Sequence, residues 1–318
     1  MQRISLKLIN YKVFIAAFVT GCFVAFGQAP WGFHLLSVVG LLSLFTLTTL
    51  CKSNLIVMII FAFGLGYFSL TLHWVVEPFF VGSEYFAWLA PFGFLSVVII
   101  CSSFWVLTTH FILSISRNLS SLSIAFSLTL GEFIRSYALT GFPWGLVGYI
   151  WLDTPLAQLA AWIGPLGLTG LTFLIVALPF SINKSFKVLS IFCVILLVSI
   201  FALFFRMDKL EKSFSEKIVR LVQPNAIQEK KWDPRFAPIY FKKLLSFSSE
   251  QFKENLDLIV WPETAIVPWL DKANKELEII SESVPTGTDL ILGIRRVEKN
   301  KIFNSLILLD SDGVVKAK

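Results

Sequence analysis

Apolar residues run in long blocks through the first two thirds of the chain and then give way to a finer alternation. Seven blocks stand out, at residues 13–28, 33–51, 55–76, 86–115, 119–138, 157–182 and 188–205. A helix needs ~20 apolar residues to cross a bilayer, so the pattern predicts about seven spans, the first short and the fourth long. Beyond residue 206 the pattern predicts a short strand at 217–223 and an amphipathic helix at 236–255, with Ile239, Leu244, Leu245 and Phe252 among its apolar positions. A strand at 257–261 follows, its unbroken Leu-Ile-Val-Trp run being that of a strand buried on both faces. Then come a charged helix at 270–283, strands at 289–293 and 303–309, a turn at Ser311-Asp312-Gly313 and the start of another strand at 314–318. Strand–helix–strand order argues for an α/β layer structure.

Composition sharpens the division. The chain has 318 residues, of which 56% are hydrophobic and only 15% charged, with 32 Phe, and a mean hydropathy of +0.75. Disordered, collagen-like and disulfide-scaffold classes are excluded. Residues 1–206 hold nine Lys/Arg against four Asp/Glu, whereas residues 207–318 hold eighteen against seventeen. Most of the net charge of +6 therefore lies in the apolar part. It reads as loop charge that orients helices and gives no case for a nucleic-acid partner.

The loop charges alternate. Arg3, Lys7 and Lys12 precede the first block, Lys52 follows the second, Arg117 the fourth, and Lys184 and Lys187 the sixth. The remaining short loops carry Glu77, Glu84 and Asp153. Positive loops stay in the cytoplasm, so the N-terminus is expected inside and residues 207–318 outside, in the periplasm of a bacterium. A signal peptide is the alternative for the first block, but no small-x-small cleavage site follows it. Trp31, Trp74, Trp88, Trp144 and Trp151 all fall in or beside the outward loops. Such a one-sided belt suits either ordinary anchoring or a surface that handles lipid headgroups.

Glu263 is the sharpest candidate for chemistry. It follows the buried strand in Trp261-Pro262-Glu263-Thr264-Ala265. Pro262 lacks an N–H and ends the strand, leaving the carboxylate at the strand's carboxyl end, where open α/β sheets keep their sites. Flanking Trp and Pro predict partial desolvation, which suits a general base; a solvated helix-start carboxylate is the competing reading. Gln223 to Gln228, with Lys230-Lys231-Trp232, follows the first predicted strand and is expected on the same rim, with Trp232 either a wall of the site or a core residue. In the apolar part, Glu132 and Arg135 share a helix face ahead of the helix-breaking loop Thr140-Gly141-Phe142-Pro143-Trp144-Gly145. His34, His73 and His110 are scattered, and the His73/Glu77 pair is too few ligands for a metal. Cys22, Cys51, Cys101 and Cys193 lie in or beside apolar blocks with no CxxC and read as small hydrophobes. Neither metal nor cofactor is expected.

Five motifs occur in order: Glu132-Phe133-Ile134-Arg135, Leu139-Thr140-Gly141-Phe142-Pro143-Trp144, Gln223…Asn225…Gln228…Lys231-Trp232, Trp261-Pro262-Glu263-Thr264, and Asn304-Ser305-Leu306 with Asp312-Gly313. In these the chain resembles the bacterial apolipoprotein N-acyltransferases along essentially its whole length. The resemblance implies a polytopic α-helical membrane bundle at 1–206 and, at 207–318, the N-terminal part of a periplasmic nitrilase-like (αββα) domain. It implies a multi-pass inner-membrane enzyme that moves an acyl chain from a phospholipid to the N-terminal amine of diacylglyceryl-cysteine on a lipoprotein. The family's Glu–Lys–Cys triad makes an acyl-thioester. Glu263 matches its Glu, and Trp232 matches a functionally important Trp in the family motif.

The family Lys lies a few residues past the Asp-Gly hairpin, and the nucleophilic Cys further on. Here no Cys follows Cys193, and Lys316 or Lys318 takes the Lys position only with a shifted alignment. The resemblance thus implies a chain truncated at its C-terminal end and inactive alone, with a second chain as one source of the missing part. A non-catalytic lipid- or partner-binding membrane fragment is the alternative. An unrelated transporter is disfavoured by the Trp-Pro-Glu-Thr segment and the large polar third.

Overall fold

A computed structural model describes residues 2–80, 84–115, 120–181, 215–227, 230–250, 255–310 and 312–318. The chain divides into two units, Met1–Glu211 and Lys212–Lys318.

The first unit contains α1 (Gln2–Ala25), α2 (His34–Leu50), α3 (Ile56–Thr71), α4 (Ala90–Ile115), α5 (Ser121–Tyr137) and α6 (Ala160–Ser181). Among the described residues, three apolar helical segments, Ser53–Thr71, Phe86–Ile115 and Pro155–Ser181, are long enough to cross a membrane; Asn10–Ala25 and His34–Leu50 are shorter. The seventh expected span, 188–205, lies outside the described residues. Three predicted spans are broken near an end: residues His73–Phe80 and Glu84–Leu89 form 3-10 turns, the first holding Pro78, and α6 is interrupted by Gly164 at φ 69° ahead of Pro165.

Small residues let the helices approach. A Cβ on Gly21 would lie 2.1 Å from the Phe63 carbonyl oxygen, and one on Gly66 would lie 2.0 Å from that of Phe18, so α1 and α3 touch backbone to backbone. Trp105 of α4 fills the centre, against the rings of Phe63, Tyr67 and Phe68.

Loops 26–33, 72–80 and 139–151 meet at one end of this bundle. There Trp31 faces His73, Trp74 meets Trp144 edge-on at 5.5 Å, and Trp151 donates to Thr172 Oγ1. Four of the five expected belt tryptophans thus share one end. Buried side chains pin the 139–151 loop. Arg135 Nη1 donates to the carbonyls of Phe142 and Trp144, Tyr67 Oη to Gly145 at 3.0 Å, and Gln28 Nε2 to Leu146 at 2.9 Å.

The second unit carries one mixed sheet of β1 (Val219–Leu221), β2 (Leu258–Val260), β3 (Asp289–Glu298), β4 (Lys301–Leu309) and β5 (Val315–Ala317), in spatial order β1-β2-β3-β4-β5. The first three are parallel and the last two antiparallel. Helices α7 (Ala237–Ser249) and α8 (Asn274–Ser283) cover one face. Ile259, Leu290, Leu292 and Ile294 are buried there with Leu244 of α7 and Leu277 and Ile280 of α8.

The expectation that 257–261 is buried on both faces holds only in part. Ile259 is fully buried while Leu258 and Val260 remain half-buried, because one helical layer covers one face. The predicted helix at 270–283 divides into a 3-10 turn, Leu270–Lys272, and α8. Strands β3 and β4 run longer than predicted and close in a tight hairpin at Lys299 and Asn300, both at positive φ. Two left-handed residues are what a two-residue hairpin requires, but Lys-Asn is a weak sequence signal for it.

Candidate active site

β1 and β2 are parallel, so the segments after them leave the sheet at the same rim. Gln223 and Glu263 accordingly line one cleft of about 860 Å³. Its walls are largely apolar, with Pro224, Phe241, Ile266, Val267 and Trp269 among them; Lys231, Glu276 and Arg295 contribute charge.

The chain turns sharply after Pro262, with Thr264 at φ 46°. Gly293 of β3 permits this. A Cβ there would lie 2.6 Å from both Glu263 Cα and Thr264 N, so no other residue fits without moving the Glu263 backbone. The turn is stitched to the same residue by the Ala265 N–H donating to the Gly293 carbonyl at 2.8 Å and the Gly293 N–H donating to the Pro262 carbonyl at 3.3 Å.

Two side chains orient Glu263. Asn304 Nδ2 of β4 donates to its Oε1, and Lys231 Nζ donates to its main-chain carbonyl oxygen at 3.0 Å. Burial pushes the Lys231 ammonium below the ordinary lysine range, partly offset by the nearby Glu263 charge, with Arg295 adding to the depression. Arg295 lies opposite Asn304 in the β3–β4 ladder. Its guanidinium carbon sits 4.4 Å from the Trp232 ring centroid and 4.8 Å from that of Trp269.

One expectation needs correction. Glu263 is exposed, so its sequence neighbours do not desolvate it. Trp261 turns into the core instead, packing against Phe241 and donating through Nε1 to Ser248 Oγ at 2.8 Å. Trp232 is 41% exposed, so it is no core residue, and its ring abuts the guanidinium that lines the cleft.

The structure brings together Glu263, Trp232, Lys231 and Gln223 in the second unit. Glu132, Arg135, Phe142, Pro143 and Trp144 form a separate group in the first. Glu132 and Arg135 are both buried and paired with each other. Phe142 packs on the bundle core, while Pro143 and Trp144 are exposed. Sequence reasoning missed Gly293, Arg295 and Trp269, and met Asn304 only within a family motif. A charged residue directly after the apolar run Leu290-Ile291-Leu292-Gly293-Ile294 was the signal for Arg295. Among the described residues, no three His, Cys, Asp or Glu side chains gather as a metal site would require.

Residues 20–178 match the family model described as the apolipoprotein N-acyltransferase N-terminal domain. A curated apolipoprotein N-acyltransferase of Brucella suis biovar 1 is 32% identical over 79% of this chain and 51% of its own length. That of Bradyrhizobium diazoefficiens is 32% identical over 80% of this chain and 52% of its own. That of Haemophilus ducreyi is 26% identical over 96% of this chain and 62% of its own. The chain spans about half the length of the curated relatives it matches.

Proposed function

This chain belongs to the apolipoprotein N-acyltransferase family, and from that premise we propose that it takes part in moving an acyl chain from a phospholipid to the N-terminal amine of a diacylglyceryl-cysteine lipoprotein. The observation that carries this reading is Glu263, held by Asn304 at the carboxyl end of β2 and facing an apolar-walled cleft. In the proposed chemistry the Glu263 carboxylate takes the proton of a thiol. The thiolate attacks the ester carbonyl of the lipid, the lysophospholipid oxygen leaves with a proton, and the resulting thioester is opened by the lipoprotein amine. Residues 207–318 contain no cysteine. We place the thiol and the oxyanion-supporting lysine in sequence corresponding to the other half of the relatives, on this chain or a second one. The second reading is a lipid-binding membrane module without chemistry of its own.

The membrane arrangement belongs to the same proposal: a multi-pass protein of the bacterial inner membrane, N-terminus in the cytoplasm, with a periplasmic nitrilase-like domain in the second unit. The loop charges and the gathering of tryptophans at one bundle end support it. Reporter fusions after Lys187 and after Lys212 are expected on opposite sides; two cytoplasmic signals would overturn the topology.

The chemical test is complementation. The 318 residues alone are expected to leave a diacylglyceryl lipopeptide unacylated, and activity is expected when the remaining half of the Brucella relative is supplied. In that pairing Glu263→Gln is expected to lower the rate by about 10²–10⁴, the worth of a general base, because an amide does not accept the proton. Full activity of the Gln variant would remove Glu263 from the chemistry.

A further inference from the structure

Among the described residues the cleft holds two cations, Lys231 and Arg295, and neither pairs with a carboxylate there. Lys231 spends its ammonium on the Glu263 main-chain carbonyl. Arg295 donates through Nη2 to the Val267 carbonyl at 2.7 Å, and its Nε is buried with no hydrogen-bond partner among the described residues. The ion pairs among the described residues of the second unit lie elsewhere, at Lys217–Asp257, Arg235–Asp233, Arg296–Glu298 and around Lys316. Trp232 and Trp269 flank the guanidinium, but an indole ring offers it no in-plane acceptor. The neighbouring Arg296 shows the ordinary alternative, since it pairs with Glu298 and Ser305 on the strand surface.

A half-buried charge gives up hydration that only an acceptor restores. A planar guanidinium presents parallel N–H groups that fit a phosphate or carboxylate edge. The surrounding walls are apolar. An anionic group joined to hydrocarbon matches this combination, and a phospholipid carries both parts in one molecule.

We propose that Arg295, assisted by Lys231, forms an anion subsite that receives the phosphodiester of a phospholipid next to Glu263. The choice of an anion rests on the unpaired guanidinium; the choice of a lipid rests on the acyl-transfer reading. In this arrangement Trp232 and Trp269 hold the guanidinium so that its N–H groups face the cleft, and the ester bond is presented beside the Glu263 carboxylate.

The test uses the full 318-residue chain in a maltoside detergent, titrated calorimetrically with four probes: dihexanoyl-phosphatidylglycerol, dihexanoylglycerol, glycerophosphoglycerol and inorganic phosphate. Dihexanoyl-phosphatidylglycerol is expected to bind at least about tenfold tighter than dihexanoylglycerol, the range of a charged hydrogen bond. Arg295→Gln is expected to erase that difference and Arg295→Lys to keep part of it. Equal binding of the two lipids, or no binding of either, overturns the subsite. Phosphate or glycerophosphoglycerol binding as tightly as the lipid would assign the site to a free phosphate group and overturn the lipid assignment. Should Arg295→Gln fail to elute as a monodisperse species, the probe series on the unaltered chain decides alone. Complementation separates the two claims. Acylation without a phosphate preference leaves the acyl-transfer reading and removes the subsite. A phosphate preference without acylation removes the acyl-transfer reading and turns the subsite into part of a lipid-binding module.

Discussion

Each unit of this protein contains a glutamate and an arginine away from ordinary solvent-exposed surface pairs, and the two units treat them in opposite ways. In the bundle, Glu132 and Arg135 take each other one helical turn apart, and Arg135 also satisfies two loop carbonyls and lies over the Phe68 ring. In the sheet unit, Glu263 is exposed and hydrogen-bonded by a neutral amide, while Arg295 has aromatic neighbours and, among the described residues, a single carbonyl partner. A charge whose partner is built into the fold serves the fold. A charge held in place but unpaired, at the rim of a parallel sheet, is available to something that arrives. The distinction separates Glu132 and Arg135, which shape the 139–151 loop, from Glu263 and Arg295, which face a cleft.

The first way to break this comparison is to remove one member of the bundle pair. Arg135→Met leaves Glu132 buried without compensation and is expected to cost about 3–5 kcal/mol, read as a lower midpoint of unfolding in a mixed-detergent titration. A cost below about 1 kcal/mol would mean that the pair contributes no more than a surface ion pair and that the loop is held by Tyr67 and Gln28. A smaller effect is expected in the second unit. Gly293→Ala forces a methyl group against the Glu263 backbone and is expected to cost about 1–3 kcal/mol by overpacking, together with loss of the Asn304–Glu263 hydrogen bond. A variant as stable as the parent, with unchanged activity in the complemented pair, would show that the Glu263 turn tolerates displacement and that its position is not set by β3.

These two substitutions also mark what a reader of the sequence could and could not see. The Glu132/Arg135 pair is legible because it is local, at i and i+3 on one helix. Gly293 is not, because its meaning depends on a loop thirty residues earlier in the chain crossing over it. The desolvation expected of Glu263 failed for a related reason. Neighbours in sequence are not neighbours in space once Trp261 turns inward and the chain bends after Pro262.

By itself the sequence determined the order of apolar blocks, the change of pattern near residue 206, the strand–helix alternation beyond it and the position of Glu263 at the end of a buried strand. All of these follow from periodicity and from residues acting on their immediate neighbours. Only the tertiary structure decided that Asn304, two strands away in the sheet, orients that carboxylate, that Arg295 stands beside Trp232 and Trp269 without a carboxylate among the described residues, and that three side chains from different segments pin the 139–151 loop. Such pairings depend on sheet order, register and helix packing, and those are set by the burial of the whole apolar surface at once, which no short window of sequence contains.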